Sequence, residues 1–135
     1  MRFFVFTDGA SRGNPGPAAA GIVLKDEKGT VLLDSSQFLG RMTNNEAEYR
    51  ALLFGLAKAA GPASGKTLVV LMDSELVVSQ LKGLYRMKAP HLRELLMEAR
   101  IREKPFEKVV YQLIPREKNS QADALANAAL DQVGK

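Results

Sequence analysis

The feature that most constrains the fold lies near the start of the chain, where the apolar run Phe3 to Phe6 leads into Asp8 and a turn rich in glycine and proline. The run is rich in β-formers and bounded by turn residues, so it predicts a strand inside a sheet. The glycines of the turn allow the backbone to approach another molecule closely. We therefore expect Asp8 at the carboxyl end of a buried strand, where open α/β sheets bind ligands. An isolated Asp-Gly pair is equally typical of a hairpin turn.

The length and composition of the chain are those of an ordinary globular protein. Its 135 residues suit one compact domain, and we expect a single domain over residues 1–135. The chain has no cysteine, which excludes disulfides and thiolate metal sites. No apolar run is long enough to span a bilayer and no signal peptide begins the chain, so we expect a cytoplasmic monomer with no membrane partner. The net charge of +4 mildly favours a polyanionic partner.

Hydrophobic periodicity and turn residues predict the element order βββαβααβα. The first three strands form an antiparallel meander, and the second half alternates strands with helices. Ala20 and Gly21, in the second strand, mark a place where another element packs closely. This order predicts an α/β fold with a five-stranded mixed β-sheet and helices on both faces. The predicted strands cover residues 3–6, 18–25, 30–39, 67–72 and 106–114. The predicted helices cover 46–60, 75–81, a stretch from 89 or 90 to between 102 and 104, and 121–133.

Four acidic residues are expected at one end of this sheet. Asp8 and Asp73 each end a buried strand, Glu48 lies one turn into a helix, and Asp123 opens the last helix. Each also has a common structural interpretation. Asp73 is at a position typical of a helix N-cap, and Asp123 can be the acid of a capping box in which Ser120 is the cap.

The helical face distinguishes Glu48 from the neighbouring Glu46. Helix geometry places Glu48 beside an apolar stripe that faces the sheet, whereas Glu46 lies on the wet side and can pair with Arg50. Four clustered carboxylates repel one another, and divalent cations are the natural neutraliser. Oxygen ligands at an incomplete site suit Mg²⁺ or Mn²⁺. Two such ions roughly 4 Å apart would stabilise the attacking and leaving oxygens of a phosphodiester displacement.

The motifs together resemble type 1 ribonuclease H over nearly the whole chain. The resemblance implies a ribonuclease H-like fold and two bound metal ions. It also implies hydrolysis of the RNA strand of an RNA/DNA hybrid, leaving 3′-hydroxyl and 5′-phosphate ends. The alternative is a catalytically silent domain of the same fold that binds RNA or the hybrid. The motifs are Thr7-Asp8-Gly9, Gly13-Asn14-Pro15-Gly16, Thr43-Asn44-Asn45-Glu46-Ala47-Glu48, Met72-Asp73-Ser74 and Asp123-Ala124-Leu125-Ala126, and the implied metal ligands and catalytic residues are Asp8, Glu48, Asp73 and Asp123.

The resemblance also implies contacts with the hybrid. Asn14, Asn44 and Asn45 match positions that touch base edges and ribose 2′-hydroxyls, the groups that distinguish RNA from DNA. Arg41 and Thr43 match a pocket that binds a phosphate of the DNA strand, in keeping with an anion site at a helix N-terminus. The alternative is that Asn14 only shapes the turn and Asn44 only caps the helix.

Two features depart from the family pattern. Many members carry a histidine in the loop before the last aspartate, but here that loop has none, and we expect Arg116 to take over part of its role. The only histidine, His91, lies elsewhere and is expected to be structural or exposed. The loop resembles that of a subgroup whose loop also has the sequence Pro-Arg-Glu. The basic protrusion of some members is short here, and Lys82, Tyr85 and Lys88 form either a phosphate-contacting strip or a solvated turn.

Overall fold

A computed structural model describes residues 1–133, whose element order is the predicted βββαβααβα. Within these residues no helix is both long and apolar enough to cross a lipid bilayer. A short 3₁₀ turn, Arg116–Lys118, precedes the last helix. The elements are β1 (Arg2–Ser11), β2 (Gly16–Lys25), β3 (Val31–Met42), α1 (Asn44–Ala59), β4 (Thr67–Met72), α2 (Glu75–Leu81), α3 (Pro90–Arg102), β5 (Lys108–Leu113) and α4 (Ser120–Val133).

The strands form one sheet in the order β3-β2-β1-β4-β5. The first three strands pair antiparallel, and β4 and β5 add to β1 in parallel. Parallel neighbours need crossover connections, which α1 and the pair α2–α3 supply. The predicted five-stranded mixed sheet is therefore confirmed, and β1 lies at its centre with β4 on one side and β2 on the other.

The expectation that Asp8 ends its strand was wrong, because β1 continues to Ser11. The antiparallel ladder with β2 runs through Asp8↔Gly21 as far as Ser11, while the parallel ladder with β4 stops at Phe6↔Leu71. Residues 8–11 stay in the sheet because β2 still pairs with them, and the sequence of β1 alone does not show which partner persists. Asp8 thus lies where β1 and β4 separate, at the crevice in which open α/β sheets place their ligands.

Helices cover both faces of the sheet. Helices α1, α2 and α3 pack on one face over the main apolar core, and α4 packs on the other face against β1, β2 and β3. The close packing predicted at Gly21 is confirmed, since a Cβ there would overlap the backbone of α4 at Ala122. A Cβ on Gly9 would likewise overlap the carbonyl of Ala47, so the first turn of α1 lies directly on β1 beside Asp8.

Several predicted boundaries differ from those of the structure. Strand β3 extends to Met42 instead of residue 39, because Gly40 adopts a positive φ of 89° and lets the edge strand continue past an irregularity in its pairing with β2. Helix α1 begins two residues earlier than predicted, since Thr43 is its N-cap. Strand β5 is shorter than predicted at both ends, and its pairing with β4 covers only Lys108–Leu113.

Candidate active site

Three carboxylates meet where β1 and β4 separate. Asp8 of β1, Glu48 of α1 and Asp73 after β4 each offer an oxygen within 4.8 Å of the others. Asp8 and Glu48 are buried, with exposed fractions of 6% and 4%, and Asp73 is half-buried. Three acidic groups at this spacing with two of them out of water are a costly arrangement, which calls for a compensating positive charge.

The position of Glu48 follows from the contact between α1 and β1. Because Gly9 has no side chain, the first turn of α1 rests on the strand at Ala47. The next residue, Glu48, then faces β1, and its Oε1 accepts a hydrogen bond of 2.6 Å from the Gly9 N–H. One backbone contact therefore both brings the helix to the strand and orients the carboxylate beside Asp8.

The electrostatics of the cluster show charge that the protein does not neutralise. Burial, as the largest cause, and the negative charges of Glu48, Asp73 and Asp123 together raise the pKa of Asp8 to about 9. Burial also raises the pKa of Glu48 to about 8, although the Gly9 N–H and the Arg116 guanidinium oppose this shift. At neutral pH the two carboxyls therefore resist ionisation unless a cation binds between them.

Asp123 lies outside the tight group of three but lines the same cleft, whose volume is about 330 Å³. It approaches Asp8 closely enough to raise the pKa of that carboxyl through a side-chain hydrogen bond. The capping box with Ser120 is not what the structure contains. Helix α4 includes Ser120, and the Asp123 carboxylate accepts a hydrogen bond of 3.2 Å from Asn127 Nδ2.

The neighbouring Glu46 belongs to the helix cap. Its Oε1 accepts hydrogen bonds from the N–H and hydroxyl of Thr43, at 3.3 and 3.0 Å, and Thr43 Oγ1 accepts the Glu46 N–H. The expected pairing of Glu46 with Arg50 was wrong, because a glutamate at the third position of a helix reaches back to its cap. The exposed His91 lies beside Glu46 instead, with its Nε2 4.0 Å from Oε1 of Glu46.

Two of the residues predicted to contact substrate are hydrogen-bonded to each other, and the side chain of a third is used in a helix cap. Asn14 Oδ1 accepts a hydrogen bond of 3.0 Å from the Asn44 N–H, so the β1–β2 turn is tied to the start of α1. Asn44 lines the cleft and Asn45 is half-buried. Arg41 is exposed near the end of β3, while the Thr43 hydroxyl is already engaged in the capping box.

The remaining residues predicted to contact substrate lie in two places, the cleft and the segment between α2 and α3. Arg116 lines the cleft and lowers the pKa of Glu48 by its charge, while its expected takeover of part of the role of the loop histidine stays a prediction. Lys82, Tyr85 and Lys88 lie outside the lining of the cleft. They are exposed in the segment between α2 and α3, which Met87 anchors in the core.

Sequence reasoning missed two asparagines around the cluster, and it placed the cap of α2 at Asp73-Ser74 without choosing between the two residues. Ser74, not Asp73, caps α2 by accepting the Val77 N–H at 3.3 Å, which leaves the carboxylate of Asp73 free for the cleft. Asn127 and Asn119 contact Asp123 and Asp73 respectively. A Ser that follows the acid was a usable signal for the cap, but no local pattern marked either asparagine.

The ligands available in the cleft fit a hard divalent cation. The polar part of the lining consists of four carboxylates, two serines, two asparagines and an arginine, and it includes no histidine among residues 1–133. Incomplete sites of oxygen ligands suit Mg²⁺ or Mn²⁺ and not softer metals. The mixed sheet and this cluster together define an α/β domain with a candidate metal site of carboxylates where two parallel strands separate.

Comparisons with known proteins agree with this class. The family described as Reverse transcriptase-like matches residues 6–129. The Mycobacterium tuberculosis protein named Bifunctional protein Rv2228c is 44% identical over 132 residues, which are 97% of this chain and 36% of that protein. A Halobacterium salinarum protein named Ribonuclease HI is 42% identical over 96% of this chain and 65% of its own length. The chain thus spans about a third to two thirds of these relatives.

Solved structures are similar over almost the whole chain. The crystal structure of RNase H1 from Halobacterium salinarum superimposes with a TM-score of 0.93 at 42% identity, covering 98% of this chain and 99% of that one. LC11-RNase H1, solved in complex with an RNA/DNA hybrid, has a TM-score of 0.95 at 40% identity and covers the same shares. The chain belongs to the reverse transcriptase-like family and is a ribonuclease H-like domain.

Proposed function

We propose that the protein is a metal-dependent endoribonuclease that hydrolyses the RNA strand of RNA/DNA hybrids and leaves 3′-hydroxyl and 5′-phosphate ends. The observation that carries the proposal is the meeting of Asp8, Glu48 and Asp73 within 4.8 Å in a cleft that also holds Asp123. The likeness to LC11-RNase H1, which was solved with a hybrid, supports the choice of substrate.

The four carboxylates would hold two Mg²⁺ or Mn²⁺ ions. When bound, such ions supply an activated water and neutralise charge on the leaving oxygen of the phosphodiester. The residues of the chain have separate tasks. Asp8 and Asp73 present oxygens from two parallel strands, the Gly9 N–H orients Glu48, and Arg116 offers a positive charge at the mouth of the cleft.

The substrate would lie across the turn and helix start that border the cleft. The amides of Asn14, Asn44 and Asn45 can both donate and accept, which suits contacts with base edges and the ribose 2′-hydroxyl. Arg41 and the N-terminus of α1 at Thr43 would hold a phosphate of the DNA strand. The exposed cations and aromatic ring of the α2–α3 segment would contact further phosphates, through Lys82, Tyr85 and Lys88.

We further propose that residues 1–135 form one nuclease domain that acts as a monomer in the cytoplasm. The support for the location is compositional, since the chain contains no cysteine. Size-exclusion chromatography with light scattering tests the oligomeric state, and a mass of twice 14.7 kDa would contradict it.

The decisive experiment is cleavage of an end-labelled RNA/DNA hybrid with Mg²⁺ or Mn²⁺, with duplex RNA and duplex DNA of the same sequence as controls. We expect internal cuts in the RNA strand of the hybrid, no cuts with EDTA, and no cuts in duplex DNA. Asp73→Asn serves as the inactive control. If the protein binds the hybrid but cuts it with neither metal, the catalytically silent alternative is correct.

A further inference from the structure

A buried asparagine that the proposed mechanism does not use touches two of the segments that carry the acids. Asn119 is only 1% exposed. Its side-chain Nδ2 donates hydrogen bonds to the backbone carbonyl of Thr7 at 2.9 Å and to Oδ2 of Asp73 at 3.1 Å. The two protons of one amide group therefore join β1, at the residue before Asp8, to the carboxylate that follows β4.

The position of Asn119 suggests a different role for its side chain, that of capping a helix, and the structure shows no such side-chain bond among residues 1–133. Asn119 directly precedes α4, where the side-chain oxygen of an asparagine usually accepts a helix N–H. Its backbone carbonyl does accept the Asp123 N–H at 3.1 Å. Its side-chain Oδ1, however, is buried with no hydrogen-bond partner among residues 1–133. The donor end of the amide therefore determines how this side chain is oriented.

The contacts of Asn119 lie just beyond the point where the hydrogen-bonded pairing of β1 with β4 ends. The parallel ladder between β1 and β4 ends at Phe6↔Leu71, and β4 itself ends at Met72. Beyond this point no pairing between the two strands fixes their separation. The Asn119 amide occupies the gap, bonding to the first carbonyl past the ladder on β1 and to the first side chain past the end of β4.

We propose that Asn119 is a positioning residue that sets the affinity of the acidic cluster for divalent metal by holding Asp73 at a fixed place relative to Asp8. Because its backbone also begins α4, the same residue ties the helix that carries Asp123 to both strands. The inference rests on the proposed function, since it assumes that the cluster binds Mg²⁺.

Calorimetric titration of Mg²⁺ into the metal-free protein tests this role. We expect Asn119→Ala and Asn119→Leu to raise the Kd for Mg²⁺ about tenfold, the usual effect of removing a partner of a ligand. Hybrid cleavage by both variants should fall at low Mg²⁺ and recover as Mg²⁺ is raised. The matched control is Tyr111→Phe, which removes a hydrogen bond of 2.5 Å to Glu103 outside the cleft and should leave the Kd unchanged.

A Kd for folded Asn119 variants within twofold of the unmodified value would overturn the inference, while hybrid cleavage by the unmodified protein would leave the proposed function standing. Failure of the unmodified protein to bind Mg²⁺ would instead remove the proposed function. If the variants do not fold, NMR of the unmodified protein decides. The side-chain amide resonances of Asn119 should shift on saturation with Mg²⁺, and unmoved resonances would refute the positioning role.

Discussion

At the scale of single residues, two glutamates in the first two turns of α1 have opposite environments. Glu48 is buried beside Asp8 and accepts the Gly9 N–H, whereas Glu46 completes the capping box with Thr43. The distinction was already predicted from the helical face, but the partner of Glu46 was not. Local spacing determines which side a helical residue faces, while the bond it forms depends on neighbours that only the folded chain supplies.

We therefore expect Glu48→Gln to lower kcat for hybrid cleavage by about 10²-fold or more, since it removes a charge from the metal cluster. Glu46→Gln should stay within about threefold of the unmodified enzyme, because glutamine also completes a capping box. Steady-state kinetics at saturating Mg²⁺ measures both variants. A large loss of kcat in Glu46→Gln together with a small loss in Glu48→Gln would show that the wrong helix face was assigned to the metal.

The raised pKa values of the cluster predict how stability depends on pH in the absence of metal. Asp8 binds its proton more tightly when folded, with a pKa of about 9 against an ordinary value near 4. The folded state therefore holds more protons than the unfolded state between these values, and stability falls as the pH rises from about 4 to about 9. Glu48, with a pKa of about 8, acts in the same direction.

Asp8→Asn removes the contribution of Asp8 to the loss of stability at rising pH. In EDTA we expect the variant to melt at least about 4 °C above the unmodified protein at pH 8, which corresponds to about 1 kcal/mol, and to differ little at pH 4.5. Mg²⁺ should then raise the Tm of the unmodified protein more than that of the variant. A Tm difference that is the same at both pH values would contradict the role of Asp8 as a buried acid that is not neutralised.

At the scale of elements, the site depends on two helices that rest directly on strands. Helix α1 touches β1 at Gly9, and α4 touches β2 at Gly21. These contacts place Glu48 and Asp123 over the crevice from opposite faces of the sheet. The small residues in the sequence predicted a close contact at Gly21, but the element that fills it, α4, lies about a hundred residues further along the chain.

Gly21→Ala should therefore destabilise the protein by about 1–3 kcal/mol, because its Cβ would overlap the backbone of α4 at Ala122 and force the helix away. The displacement also moves Asp123, so we expect a lower rate of hybrid cleavage even at temperatures at which the variant is folded. Denaturant unfolding and hybrid cleavage measure the two effects. Gly61→Ala is the control, since a Cβ there meets nothing within 4 Å, and equal unfolding free energies for the two variants would refute the contact.

At the scale of the whole molecule, the net charge of +4 agrees with a polyanionic substrate but does not locate its binding face. The structure places the acidic cluster in a crevice beside the N-terminus of α1, with exposed Arg41 close by in sequence at the end of β3. The proposed phosphate contact therefore uses residues other than the four carboxylates. This separation of positive and negative charge suits a long, charged substrate.

We expect Arg41→Ala to weaken hybrid binding and to reduce the slope of log K against log salt by about 1, since one phosphate contact is lost. Fluorescence anisotropy in the Asp73→Asn background measures binding without cleavage. Lys58→Ala is the matched control because it also removes one positive charge. Lys58 lies near the C-terminal end of α1, about 21 Å along the helix from Asn44 at a rise of about 1.5 Å per residue. An unchanged slope for Arg41→Ala would remove the phosphate pocket from the proposal.

The sequence by itself determined the order of the elements, the mixed sheet and which acids line the cleft, because periodicity, turn residues and helical faces are properties of short segments. It also predicted a site of oxygen ligands, since the chain offers four candidate acids and no cysteine. Tertiary structure decided what depends on distant partners. It extended β1 past Asp8 by pairing with β2, and it assigned the α2 cap to Ser74. It also brought Asn119 to Asp73 across 46 residues, a contact that no local pattern encodes.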